Sequence, residues 1–494
     1  MALLIHLVRP LSFSLLLVAA ATLRADDSAD RVLRSLQPAV EVEGRPPIHW
    51  TVTERLAHHH VPGVSVAVVD HGRIVWARGF GKEKAGADGA VTEATLFQAA
   101  SISKAIAATA TLRLVDEGKL DLDTDVNRYL ASWKIPETPH TTQEKVTLRR
   151  ILSHTAGINL HGFMGYPPDG AIPTLLQVLD GQPPAKNEPV RVVAVPGSIT
   201  NYSGGGIIIE QLVVTDTTKT AFPKLVRDLV LVPLGMKDTT FEHPLPSEFR
   251  SRVAEGHNGD GEPIKGGWRI GPEAAAGWMW STPTDLMRWA IGIAESRTGK
   301  PGTILSRKIA TEMLTVQKDQ YGLGPVLEGS GPAFRFSHGG NNPGYTAQLT
   351  YFPETGQGAA IMVNTGTADI LIEELTRAIA KEYNWPALQP STIKPAVLNE
   401  KAIGQVTGKY DLWFPGATDP VSAEVRSENG RLTFHSPPVV VNDELVAISA
   451  TEFISPVWGY RIRFEGNPGN AATGFTLRYG QNDMAGKRAK VTGN

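Results

Sequence analysis

The 494-residue chain contains no cysteine, which removes disulfides, thiolate metal sites and thiol nucleophiles together. Any covalent catalyst must therefore be a hydroxyl, an amine or a carboxylate. Excess charge of one sign is also lacking: 48 Lys and Arg stand against 50 Asp and Glu, a formal net charge of -2. Nucleic acid binding calls for a basic stripe, and the chain has none. After the first two dozen residues no apolar run is long enough for a bilayer. There is no internal repeat or low-complexity tract, and 41% hydrophobic residues make an ordinary globular composition.

The chain opens on a targeting pattern: Arg9, an apolar run from Leu11 to Leu23, small residues at Ala19, Ala20, Ala21 and Ala25, then Asp26-Asp27. Residues 1–25 read as a signal peptide cut after Ala21 or Ala25, which implies an exported bacterial protein, periplasmic or secreted. An uncleaved anchor is the alternative. The remaining length exceeds what one core fills. We expect a large domain over 26–385, a stiff linker over 386–400 marked by Pro386, Pro390 and Pro395, and a small all-β domain over 401–494.

In the first domain, Val64 to Val69 and Arg73 to Gly81 flank Asp70-His71-Gly72, a hairpin signal. Phe97 to Val115 reads as a helix stopped at Gly118. Helices and loops follow to about Ala290, and strand-like runs return at Phe334 to Ser337, Ala347 to Phe352 and Ala359 to Asn364. The tail alternates in short runs such as Val421 to Arg426 and Gly474 to Tyr479. It is expected to close as a barrel or sandwich with Trp413 and Trp458 as packing residues, or with an apolar ligand inside.

Three elements carry chemistry. Ser101-Ile102-Ser103-Lys104 stands at a helix start, where residues three apart share a face, so the Lys104 amine reaches the Ser101 hydroxyl. The positive helix end disfavours an ammonium there and favours a free amine. The helix start also offers the Ser101 N–H to an oxyanion. Spacing alone is weak, because Ser391-Thr392-Ile393-Lys394 repeats it between prolines with no helix behind it. The second element is the loop Pro196 to Gly206, in which Tyr202 near a lysine could relay protons as a partial phenolate. The third is Phe336-Ser337-His338-Gly339-Gly340-Asn341, ending a strand where glycines admit close approach of a ligand and His338 can bond substrate. His58-His59-His60 invites a metal reading, but neighbouring helical residues point apart and no second ligand cluster accompanies them.

Ser-x-x-Lys early, a tyrosine loop midway and His-Gly-Gly late resemble the serine β-lactamase and penicillin-binding protein superfamily. The likeness is to its class C β-lactamase branch, with its esterases and D-amino-acid peptidases. Leu148 to Gly157, Pro233-Leu234-Gly235-Met236, and Ala274 to Trp278 running into Ser281 to Leu286 add to it, and it covers about residues 45 to 385. It implies an α/β (α+β) domain, an antiparallel sheet with a helical lobe, followed by a lipocalin-like β domain. It makes Ser101 the nucleophile, Lys104 and Tyr202 the proton-transfer pair in undecided order, and His338 the counterpart of a family lysine. The N–H groups of Ser101 and Asn341 would form the oxyanion hole, with Gly339 and Gly340 lining the substrate.

No cofactor or metal is implied. The partner is a small ester, lactam or D-peptide, with peptidoglycan fragments as a further class; nucleic acid is not expected. The family's Tyr-x-Asn reads Tyr202-Ser203-Gly204 here, and His replaces Lys at 338. Both departures favour ester or D-amino-acid amide hydrolysis over β-lactam turnover. The rival reading is a sensor of peptidoglycan or β-lactam that is acylated once without turnover.

Overall fold

The computed structural model describes residues 27–489 apart from 415, 416, 429, 438, 439, 468 and 481. The expected signal peptide lies outside the described residues. The chain forms two compact units, one holding Val52–Ile372, the other combining Arg31–Thr51 with the chain from Glu373 onward. No helix among the described residues is long and apolar enough to cross a membrane.

The first unit is built on a six-stranded antiparallel sheet of β1 (Gly63–Asp70), β2 (Arg73–Gly81), β3 (Val326–Glu328), β4 (Arg335–Asn342), β5 (Tyr345–Phe352) and β6 (Gln357–Val363), in the order β2-β1-β6-β5-β4-β3. Strands from both ends of the unit thus meet in one sheet, β1 beside β6. The hairpin residue His71 has φ +50°, a left-handed conformation that suits a tight turn. β1 and β6 are buried along almost their whole length, which is why they read as continuous apolar runs.

Three long helices pack with this sheet or beside it: α1 (Ile102–Asp116), α2 (Gly204–Thr218) and α3 (Pro283–Thr298). α1 is buried almost all round, as its run of alanines between Ile102 and Leu114 allows. It does not begin at Phe97 as expected. Phe97–Gln98 is instead a short strand paired with Trp280–Ser281, and the chain turns at Ala100 before the helix starts. α3 packs on β1 and β6. Thr282 caps it through the Asp285 N–H, Pro283 opens its first turn, and Trp289 buries its ring while donating to Thr109 Oγ1 at 2.9 Å. Trp278, Trp280 and Trp289 are all core residues.

In the second unit, eight antiparallel strands from Gly408–Trp413 to Asn482–Arg488 close into a barrel, the last pairing with the first. Its interior is filled by Tyr410, Phe434, Phe453, Phe464 and Phe475. A Cβ at Gly486 would lie 2.3 Å from the Phe475 ring, so the glycine makes room for the aromatic. Part of the expected linker is structured: Ser391–Ile393 pairs in parallel with Val40–Val42. The second Ser-x-x-Lys match therefore begins on a strand, where its spacing brings no helix face to bear.

Candidate active site

The local structure before Ser101 is a strained turn. Ala100 has φ +47°, a left-handed conformation that costs an alanine about 1–2 kcal/mol. The second serine of the motif holds it. Ser103 Oγ donates to the Ala100 carbonyl at 2.6 Å and accepts from the Met279 N–H at 3.2 Å. With the chain so fixed, Ser101 occupies the N-cap of α1 with no side-chain cap bond. Its hydroxyl is turned to the site, and its N–H lies outside the helical ladder.

Lys104 Nζ is 2.9 Å from Ser101 Oγ and 2.5 Å from the Ala276 carbonyl. The lysine is 2% exposed, and burial brings its pKa down to about 7, against a smaller opposing pull from Glu210. Desolvation, rather than the helix dipole invoked from sequence, is thus the main cause. A free amine at this distance accepts the serine proton, and an ammonium donates instead.

Tyr202 precedes α2. Its ring lies 5.1 Å from Lys104 Nζ, and burial pushes its pKa up to about 12. It is therefore a neutral phenol, not the partial phenolate expected from sequence: desolvation keeps the proton on the ring oxygen. Its ring lies between two imidazoles, His154 at 4.3 Å and His161 at 4.7 Å between centroids. The glycine run after it is a packing device. A Cβ at Gly204 would lie 3.1 Å from the His161 carbonyl and one at Gly205 2.7 Å from the Asn159 carbonyl, so residues 158–163 can lie on the start of α2.

His338 stands on β4, which runs on to Asn342 instead of ending before the histidine. The ladder with β5 continues through Asn342–Tyr345, so His338, Gly339, Gly340 and Asn341 all belong to regular strand. Nδ1 of His338 lies 2.6 Å from the Gly339 carbonyl, and a carbonyl only accepts, so the proton is on Nδ1 and Nε2 carries a lone pair. Burial and Lys104 bring its pKa down to about 4. Nε2 is buried with no partner among the described residues. Its ring is 6.5 Å from that of Tyr202.

Gly340 explains why β4 can pass Ser101. A Cβ there would lie 2.4 Å from the Ala99 carbonyl oxygen and 2.9 Å from the Ser101 nitrogen. Its Cα thus faces the turn from Ala99 to Ser101, whereas sequence had it line the substrate. Gly339 is exposed, facing Gln348. Asn341 is exposed too, its side chain donating to the Gly366 carbonyl at 2.9 Å.

Sequence reasoning missed three contributors. Ser103 was read only as part of the motif. His154, inside the Leu148 to Gly157 match, accepts from the Ser203 N–H at 3.2 Å and packs on Tyr202. Glu210 is buried, with its pKa raised to about 8 by desolvation. An acid inside the apolar run Ile207 to Val214 was the signal that could have revealed it.

A family model described as Beta-lactamase matches residues 50–381. The chain is 27% identical over 391 residues to penicillin-binding protein 4 of Amycolatopsis lactamdurans, covering 74% of this chain and 97% of that one. It is 31% identical over 223 residues to esterase EstB of Burkholderia gladioli, covering 43% of this chain and about half, 54%, of the esterase. The structure of the octameric penicillin-binding protein homologue from Pyrococcus abyssi matches with a TM-score of 0.58 at 21% identity, over 88% of this chain and 98% of that one. At that identity the match speaks for the fold alone.

Two expected outcomes follow from this geometry. Gly340→Ala should slow acylation of Ser101 by about 100-fold, the scale of a lost oxyanion donor, with unchanged far-ultraviolet circular dichroism; a wild-type rate would contradict the close approach. Lys104→Met should be more stable to urea than the wild type at pH 7. A lysine with a folded pKa of about 7 against 10.5 unfolded binds fewer protons in the fold, so wild-type stability rises through that window and the gap narrows towards pH 10. A variant less stable at pH 7 would contradict the buried-amine account.

Proposed function

The chain belongs to the β-lactamase family, and from that membership we propose that it is a serine hydrolase working through an acyl-enzyme on Ser101, preferring small esters or D-amino-acid amides to β-lactams. The observation that carries the proposal is the buried Lys104 amine 2.9 Å from the Ser101 hydroxyl, at a pKa of about 7. A base poised near the working pH is free often enough to accept a proton and basic enough to take it.

In this reading Lys104 takes the Ser101 proton as Oγ attacks the carbonyl carbon. The Ser101 and Asn341 N–H groups hold the tetrahedral oxyanion. Tyr202, a neutral phenol whose ring lies 5.1 Å from Lys104 Nζ, donates a proton to the departing alcohol or amine, and Lys104 returns the one it took to Tyr202. Water then enters by the reverse relay and releases the acid.

Two features support substrates without a carboxylate. His338 is neutral, and a neutral imidazole attracts the carboxylate found on β-lactams and free C-terminal peptides less than a lysine ammonium would. The position of the missing asparagine, Gly204, is roofed by residues 161–163, which leave little room for an acylamino group. The apolar stretch from Leu11 to Leu23 supports export to the periplasm or beyond.

Intact-protein mass spectrometry with a fluorophosphonate probe should show one adduct on wild-type protein and none on Ser101→Ala. Kinetics on a short-chain nitrophenyl ester and a chromogenic cephalosporin should give kcat/KM about 100-fold or more in favour of the ester. Labelling that survives Ser101→Ala would overturn the nucleophile. A cephalosporin turned over as fast as the ester would overturn the substrate preference, and a single burst with no turnover would point to a sensor.

A further inference from the structure

A proton donor for the leaving group must be held in place, and one buried imidazole grips the loop that carries Tyr202. His154 follows the Leu148–Leu152 helix at φ +57° and is 2% exposed. Its carbonyl accepts from the Asn201 N–H at 2.8 Å, and its Nδ1 accepts from the Ser203 N–H at 3.2 Å. The residues on both sides of Tyr202 are thus tied to this one histidine. Its ring also lies against the Tyr202 ring, 4.3 Å between centroids. Ser203 is the N-cap of α2, its Oγ accepting from the Gly206 N–H at 2.9 Å, so the hold on Ser203 fixes the point at which loop becomes helix.

The histidine is itself braced. The Tyr321 ring meets it edge-on at 5.0 Å, and the segment before Tyr321 returns to the tyrosine loop. Lys318 Nζ donates to the Gly197 and Ser198 carbonyls at 2.9 and 2.7 Å, and Thr200 Oγ1 donates to Asp319 Oδ2 at 2.5 Å.

An accepting Nδ1 places the proton of the neutral ring on Nε2, and Nε2 is buried with no partner among the described residues. A buried N–H without a partner costs stability, which an apolar ring of the same shape would avoid. The imidazole has one thing that such a ring lacks, a lone pair for the Ser203 N–H. Burial lowers its pKa well below the ordinary histidine value, with Lys104 adding to the effect, so the lone pair is kept throughout the neutral range.

We propose that His154 is a positioning residue for Tyr202: by holding the Ser203 N–H on Nδ1 and the Tyr202 ring against its own, it keeps the phenol aimed at the leaving group of an acyl donor on Ser101. The inference rests on reading Tyr202 as the donor of that proton. A small displacement of a group that must meet a reacting atom slows the reaction steeply, so the hold is felt in the rate wherever the leaving group needs a proton.

The test compares kcat/KM, which reports acylation, on ethyl butyrate and nitrophenyl butyrate. Ethoxide must be protonated as it leaves, whereas nitrophenolate leaves as the anion. His154→Phe, which keeps a ring and loses the acceptor, should slow the ethyl ester about 10- to 100-fold and the nitrophenyl ester by about threefold or less. His154→Asn, whose side-chain carbonyl can stand in for Nδ1 and which tolerates the left-handed backbone, should restore most of the ethyl ester rate. In a Tyr202→Phe background, His154→Phe should add almost nothing. Equal losses on the two esters, or a His154→Phe loss that recurs in full on top of Tyr202→Phe, would overturn the positioning role. If His154→Phe fails to fold, nitrogen NMR of the histidine-labelled wild type decides: the His154 ring should carry its proton on Nε2, and a protonated Nδ1 would overturn the hold on Ser203. A Tyr202→Phe variant as fast as wild type on the ethyl ester would instead overturn the reading of Tyr202, and this inference with it.

Discussion

The burial of one amine organises the site. Lys104 sits on a helix enclosed almost completely by protein, and water cannot stabilise its charge there. The fold compensates with a single carbonyl, that of Ala276, and the Ser101 hydroxyl. That is enough to orient the amine but too little to keep it charged well above neutrality. Tyr202, His154 and His338 around it are held neutral by the same desolvation. A buried pocket of neutral donors and acceptors beneath a half-buried serine favours proton transfer over ion pairing.

The second constraint is close approach. Gly340 lets β4 pass against Ala99 and Ser101, and the strained Ala100 turn presents the serine to that strand. Ser103 offsets some of the strain through its bonds to Ala100 and Met279. The left-handed residue, the motif's second serine and the glycine on β4 are thus parts of one device, although they are remote in sequence. His338 on the same strand holds its proton on Nδ1, against the Gly339 carbonyl. The strand offers a lone pair where a lysine would have offered a charge.

Much of this was legible from residues alone. Ser101, Lys104, Tyr202 and His338 were singled out by motif order and spacing, and the structure brings them to one place. The sheet built from both ends of the first unit could be anticipated from apolar runs, and turn residues marked the β-rich tail. What escaped were features that depend on partners distant in the chain. Phe97–Gln98 looks helical until Trp280–Ser281 pairs with it. Residues 391–393 look like linker until Val40–Val42 lies alongside. The phenol of Tyr202 stays protonated because of burial, which a loop sequence does not reveal. Glu210 is an acid in an apolar run until Thr111, on another helix, is seen to hold it.

The central claim is that Lys104 loses its proton within the neutral range. It can be read directly by carbon NMR of protein labelled at lysine Cε, with the Lys104 signal assigned from its loss in Lys104→Met. The account predicts an apparent pKa near 7 for that signal. A signal that titrates only near the ordinary lysine value, above 10, would contradict it.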